Sequence, residues 1–250
     1  MQKIALLGDS ITEGLGSKKI NYVQSLLSYL SENDNGTKYE VRNFGVSGTM
    51  IDYCFDIQER IDEFNPNIVI IFYGNVEAIY RPNMPKDSLS YKLLPKRYKK
   101  NFSMIDPRPF YSHNFFKKMG QKIDSTYRFC IKRHFLKKFG SYRLLDLENF
   151  EKSYSKVVLE QKNKNRRVIC ISNVRIDDYY FPHSSKSLEE YREVIKLISE
   201  RCYCEYVDLY NWQLGFEWKE IFGQDHFHPN EKGYQLIGEL FAKQIIKEQK

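Results

Sequence analysis

At 250 residues, with 42% hydrophobic residues, the chain is long enough for a large α/β domain with a well-buried core. No run approaches the roughly 18 to 20 apolar residues that span a bilayer. The stretch after Met1 meets charged and turn residues too early to be a secretory signal, which points to a cytoplasmic protein. The net charge of +7 is uneven: from Lys86 to Arg143 there are 16 Lys or Arg against three acids, so the remainder is a mildly acidic body.

In chain order, five short apolar runs read as strands: residues 3–8, 39–44, 67–73, 167–172 and 204–209. Four are nearly continuous in apolar or β-branched residues, as parallel strands covered on both faces require. Helical spacing fills the gaps at 21–33, 51–64, 187–202 and 230–249. Alternating strands and helices predict a parallel sheet with helices on both faces, whose ligands bind beyond the carboxyl ends of the strands. The rhythm breaks between about Arg81 and Asn165, where aromatic and basic residues crowd together without a clear strand. A structureless loop of that length is improbable in a compact domain, so this stretch is expected to be a mostly helical insertion after the third strand.

The five cysteines are odd in number and scattered, as expected for reduced thiols rather than a disulfide framework. Cys202 and Cys204 resemble half a metal site, but no second pair stands at a matching spacing.

Three short stretches carry chemistry. "GDSITEG" (8–14) ends the first strand and sets Ser10 near a helix N-terminus, where backbone N–H groups favour a developing negative charge. "NFGVSG" (43–48) follows the second strand, and its glycines let backbone N–H groups approach a ligand. "DHFHPNEKG" (225–233) precedes the last helix and spaces Asp225 and His228 three apart, so one turn can bring both to a single pocket. A serine nucleophile needs a base, and the base needs an orienting carboxylate. His226 is the rival imidazole.

In this order and placement the three stretches resemble the blocks of the SGNH, or GDSL, hydrolase family. The resemblance covers about the first 75 residues and the last 85, leaving the basic insertion unmatched. It implies a flavodoxin-like three-layer α/β/α sandwich on a five-stranded parallel sheet. It further implies Ser10 as nucleophile and oxyanion donor, Gly45 as second donor, His228 as general base and Asp225 as its orienter, with no metal or cofactor required. One block departs from the pattern. The family usually carries Gly-x-Asn-Asp after the third strand, and here Gly74-Asn75-Val76-Glu77 places Val76 at the asparagine position, with Asn75 one residue early. Losing an oxyanion donor costs roughly 10²–10³ in rate, so either Asn75 compensates, or another group does, or catalysis is slower than in typical relatives.

Asp9, Glu77 and Arg81 are candidates to face the substrate, Arg81 through a substrate carboxylate or phosphate. Asp9 equally suits shaping the turn, and Glu77 and Arg81 equally suit pairing with each other. The tyrosines and His183 of the 173–186 loop are further candidates for substrate contact. The function expected is removal of a small acyl group, acetyl above all, from a carbohydrate. The alternatives are O-acyl transfer to a glycan and a non-catalytic glycan- or membrane-binding role. For the basic insertion an anionic glycan or membrane surface is the leading partner; nucleic acid lacks any accompanying recognition motif. The bland alternative is a solvated surface over an aromatic core.

Overall fold

The computed structural model describes residues 1–18, 20–34, 36–100 and 102–247. Among the described residues, seven strands occur in chain order: β1 (Gln2–Gly8), β2 (Tyr39–Asn43), β3 (Ile68–Phe72), β4 (Arg81–Pro82), β5 (Ser141–Tyr142), β6 (Arg167–Ile171) and β7 (Glu205–Val207). Among the same described residues, twelve α-helices run between and after them. They are α1 (Ser10–Glu13), α2 (Tyr22–Asn33), α3 (Tyr53–Asp56), α4 (Gln58–Phe64), α5 (Asn75–Ala78) and α6 (Leu89–Lys92), followed by α7 (Phe115–Phe139), α8 (Leu147–Asn163), α9 (Ser184–Arg201), α10 (Leu209–Gln213), α11 (Trp218–Ile221) and α12 (Glu231–Lys247).

Five strands form one parallel sheet in the order β2-β1-β3-β6-β7, and each matches a predicted run to within two residues at either end. The chain moves outward from β1 to β2, crosses back over β1 to β3, then continues to β6 and β7. With right-handed crossovers, that reversal puts α2 on one face and α4, α8 and α9 on the other. The last helix, α12, returns to pack on α2, burying Leu26, Leu30, Ile237 and Phe241. Covered on both faces, β1 and β3 hold continuous buried runs, Ile4–Leu7 and Ile68–Phe72. Burying a side chain of this size contributes about 1.5–3 kcal/mol, so these strands anchor whatever sits at their ends.

Two local readings differ from expectation. The helix expected over 51–64 is two helices broken at Ile57, which has φ −106° and ψ 8°. Ile51, Cys54 and Ile57 are buried at three-residue steps, which drift off one face of a 3.6-residue helix; the break returns Ile61 and Phe64 to the core. The insertion is mostly helical, as expected, but it also contains an antiparallel pair, β4 with β5, of two residues each. Strands that short leave no periodicity to read. The insertion has its own small core of Leu94, Tyr98, Ile105, Ile131 and Phe135, beside the main one.

Candidate active site

Ser10 stands where the carboxyl end of β1 turns into α1. A side chain at Gly8 would place its Cβ 1.9 Å from Thr12 Oγ1 and 2.9 Å from the Phe72 carbonyl, so only glycine lets the strand turn there. The turn is fixed from within by Asp9, whose Oδ1 accepts from the Ile11 N–H at 2.9 Å. At the far end of the sequence, a bridge between Phe222 and Pro229 closes the 222–229 loop. The Gly223 N–H donates to the His228 carbonyl at 2.7 Å, and Asn230 Oδ1 accepts from the Gly233 N–H at 2.9 Å as α12 begins.

These two segments, 218 positions apart, meet in one line of polar atoms. Ser10 Oγ lies 2.8 Å from His228 Nε2, and His228 Nδ1 lies 2.5 Å from Asp225 Oδ2. The other Asp225 oxygen accepts the backbone N–H groups of His228 and Phe227 at 3.0 and 3.2 Å. Ser10, Asp225 and His228 are all buried and all line one cavity of about 510 Å³. The carboxylate thus fixes the imidazole with one nitrogen facing Asp225 and the other facing the hydroxyl, the arrangement a general base requires. His226 lies off this line: its Nδ1 pairs with Asp177 Oδ2 at 2.6 Å, and its ring stacks on Trp218.

The expected second donor needs correcting. The Gly45 N–H is given to Asn43 Oδ1 at 2.8 Å, and Gly45 is absent from the cavity lining. Its role is close packing, since a Cβ there would sit 2.6 Å from Thr12 Cγ2. Gly48 takes the place facing the cavity, with φ at +78°. Its loop is tied to α1 by Glu13, whose Oε2 accepts the Ser47 N–H at 2.7 Å and the Ser47 hydroxyl.

Val76 lines the cavity, while Asn75 lies fully buried behind it. Asn75 Nδ2 donates to Asp9 Oδ2 at 3.1 Å, and its Oδ1 accepts from the Val174 N–H at 2.8 Å. The amide is thereby fixed beside the residue preceding the serine, with one of its two N–H hydrogens spent on Asp9.

Two of the three substrate-facing candidates are internal supports instead. Asp9 and Glu77 are fully buried and absent from the cavity lining. Glu77 accepts the Ile51 N–H at 2.8 Å and the Gly74 N–H at 3.0 Å, clamping the turn after β3. Burial raises the Asp9 carboxyl to about 6 and the Glu77 carboxyl to about 8. Arg81 does line the cavity, but it pairs with Asp106 at 3.0 Å and not with Glu77. The tyrosines of the 173–186 loop also pack away from the cavity: Tyr179 stacks on Phe129 of α7. His183 sits at the N-cap of α9, also outside the cavity lining.

Sequence reasoning missed the far wall. Asp106, Pro107, Arg108, Pro109 and Arg128, all from the insertion, complete the cavity opposite the loops of the sheet. The only available signal was the excess of basic residues, which says nothing of where they point.

A family model described as GDSL-like Lipase/Acylhydrolase matches residues 6–236. The chain belongs to the GDSL-like lipase/acylhydrolase family. No match was found among curated protein sequences. Among solved structures, this GDSL-family chain resembles a lipase/acylhydrolase from Enterococcus faecalis, with TM-score 0.65 and 17% identity over 99% of this chain and 97% of that one. It also resembles Axe2, an acetylxylan esterase from Geobacillus stearothermophilus, with TM-score 0.63 and 18% identity over 98% and 94%. A third is LAE5, an alpha/beta hydrolase enzyme from the metagenome of Lake Arreo, Spain, with TM-score 0.61 and 16% identity over 97% and 95%. At these identities the structural likenesses establish the shared fold; function has to be argued from the site. No helix among the described residues is long and apolar enough to cross a membrane.

Proposed function

We propose that the protein is a serine esterase that removes a small acyl group, acetyl, from a carbohydrate. The observation that carries this reading is the continuous contact from Ser10 Oγ through His228 to Asp225 at 2.8 and 2.5 Å in the cavity floor. In the first half-reaction His228 Nε2 takes the Ser10 proton as Oγ attacks the ester carbonyl. The oxyanion is held by the backbone N–H groups of Ser10 and Gly48, with the Asn75 amide behind Val76 bracing Asp9 rather than facing the cavity. His228 then returns its proton to the leaving alcohol. Water, deprotonated by the same imidazole, attacks the acyl-serine and releases the acid.

The acetyl and carbohydrate assignments draw on the acetylxylan esterase likeness and on the modest size of the cavity. Release of acetate from an acetylated xylo-oligosaccharide tests the reading. Ser10→Ala is expected to lower kcat by roughly 10⁴–10⁶; wild-type activity retained in that variant would rule out the mechanism.

One observation favours a second reading, acyl transfer to a glycan hydroxyl. A neighbouring cavity of about 610 Å³, lined by Phe110, Tyr111 and His113, shares Pro109 as its wall with the catalytic one. An acceptor seated there would compete with water for the acyl-serine. Product analysis with and without acceptor glycans separates the two, since only transfer yields a newly acylated acceptor.

A further inference from the structure

The catalytic cavity is lined by side chains of two kinds. Leu15, Val76, Ile79, Phe181 and Phe227 are apolar and suit a small acyl group, whereas Arg81, Arg108 and Arg128 are cationic. These three arginines come from separate elements: β4, the extended segment before α7, and α7 itself.

They share few anions. Asp124 Oδ2 accepts Nε and Nη2 of Arg108 at 3.1 and 3.0 Å and Nε of Arg128 at 2.8 Å. The other oxygen of Asp124 lies 2.7 Å from Arg97 Nη2 and also accepts the Tyr98 hydroxyl. Asp106 pairs with Arg81 at 3.0 Å and with Lys132 at 2.7 Å. Among the described residues, five cations therefore divide two carboxylates, and the other carboxylate that lines the cavity beside Asp106, Asp225, is engaged by His228 and two backbone N–H groups. The side chains of Arg81 and Arg128 are only 7% and 11% exposed, so water screens them poorly. All five cations and both carboxylates belong to the insertion itself, so these pairs do not fasten it to the sheet. A surplus of guanidinium groups in a concave, partly dehydrated wall instead concentrates positive potential on whatever enters.

We infer that this wall binds an anionic group on the substrate, a carboxylate or a phosphate carried by the alcohol part of the ester. The inference rests on the esterase reading for the word ester, but the anion site stands on its own geometry. Arg108 is the best placed to engage the ligand. Its side chain is 32% exposed, and its two bonds to Asp124 leave further N–H groups of the five in a guanidinium. A planar fork of this kind meets a carboxylate or phosphate in two parallel bonds.

Calorimetric binding to Ser10→Ala, which holds the ester without turning it over, tests the site. Three ligands are compared: an acetylated neutral sugar, an acetylated uronic acid and an acetylated sugar phosphate. One or both charged ligands should bind about tenfold or more tightly than the neutral one, and which of them does so identifies the anion. Adding Arg108→Gln should abolish most of that advantage, as should raising salt from about 50 to 500 mM. Equal affinity for all three ligands, or a preference that survives Arg108→Gln, would overturn the inference. Charged-ligand preference in Ser10→Ala, with no hydrolysis of any of the three by the wild type, would keep the anion site and sink the esterase reading. Hydrolysis by the wild type without charge preference would do the reverse.

Discussion

Glu77 shows how a residue can be chemically conspicuous without touching substrate. Its carboxyl is buried beneath the turn after β3 and accepts two backbone N–H groups, and burial lifts it from 4.5 to about 8. Asp9, beneath the serine, rises from 3.8 to about 6 for the same reason. Both carboxyls bind a proton more tightly in the folded chain than in the unfolded one. Their contribution to stability is complete below the unfolded pKa values and is lost as pH rises through about 6 and then about 8. Thermal unfolding followed across this window should show Tm falling with rising pH. Glu77→Gln should flatten the upper part of that slope. It should also lower Tm throughout, because an amide nitrogen replaces one acceptor and leaves a backbone N–H unpaired at about 1–3 kcal/mol. A slope unchanged by the substitution would place its origin elsewhere.

The same scale shows what a reader of the sequence can and cannot see. Ser10, Asp225 and His228 are legible because a glycine-ended strand on one side and a three-residue step on the other mark them as candidates, and the resemblance to the SGNH blocks joins the two. The glycine that lines the cavity is not legible, because Gly45 and Gly48 stand in one short loop. Which of them faces the cavity is settled by Asn43 capturing one N–H and Glu13 holding Ser47. Asn75 and Val76 are ambiguous for the same reason. Only the contacts to Asp9 and Val174 show the amide folded back beside the serine while valine takes the cavity wall.

Among the elements, α7 departs furthest from what its sequence promises. Its charge pattern reads as a basic amphipathic surface, and Lys117, Lys118, Lys122, Lys137 and Lys138 are indeed exposed. Arg128 and Lys132, however, turn inward to the cavity side, and Asp124 gathers Arg97, Arg108 and Arg128 around one buried carboxylate. Burial alone would push the Asp124 carboxyl up, but the Tyr98 hydroxyl and the arginines outweigh it and hold it below the usual carboxylate range. Asp124→Asn removes the charge and leaves guanidinium groups facing one another, a loss of about 3–5 kcal/mol when such groups are buried. Arg97 contributes little to that figure, being 58% exposed. Hydrogen exchange should speed up in 96–139 while the amides of β1 and β3 keep their protection. Uniform acceleration across the sheet would contradict the view that Asp124 secures the insertion and not the sheet.

For the whole molecule, a five-stranded parallel sheet was legible because four of its strands are nearly unbroken apolar runs. The covering of the site by the insertion was not, since no local pattern states which distant surface a helix will meet. The sheet brings the ends of β1, β2 and β3 together, the loop before α12 delivers the imidazole, and the insertion closes the opposite wall. The central claim is that this assembly activates Ser10. Intact-protein mass spectrometry after exposure to a fluorophosphonate tests it most directly, with Ser10→Ala and His228→Ala treated alongside. A single adduct on the wild type, absent from Ser10→Ala and much slower to form on His228→Ala, is the predicted result. A folded wild-type protein that takes up no label, or labels equally well without Ser10, would contradict it.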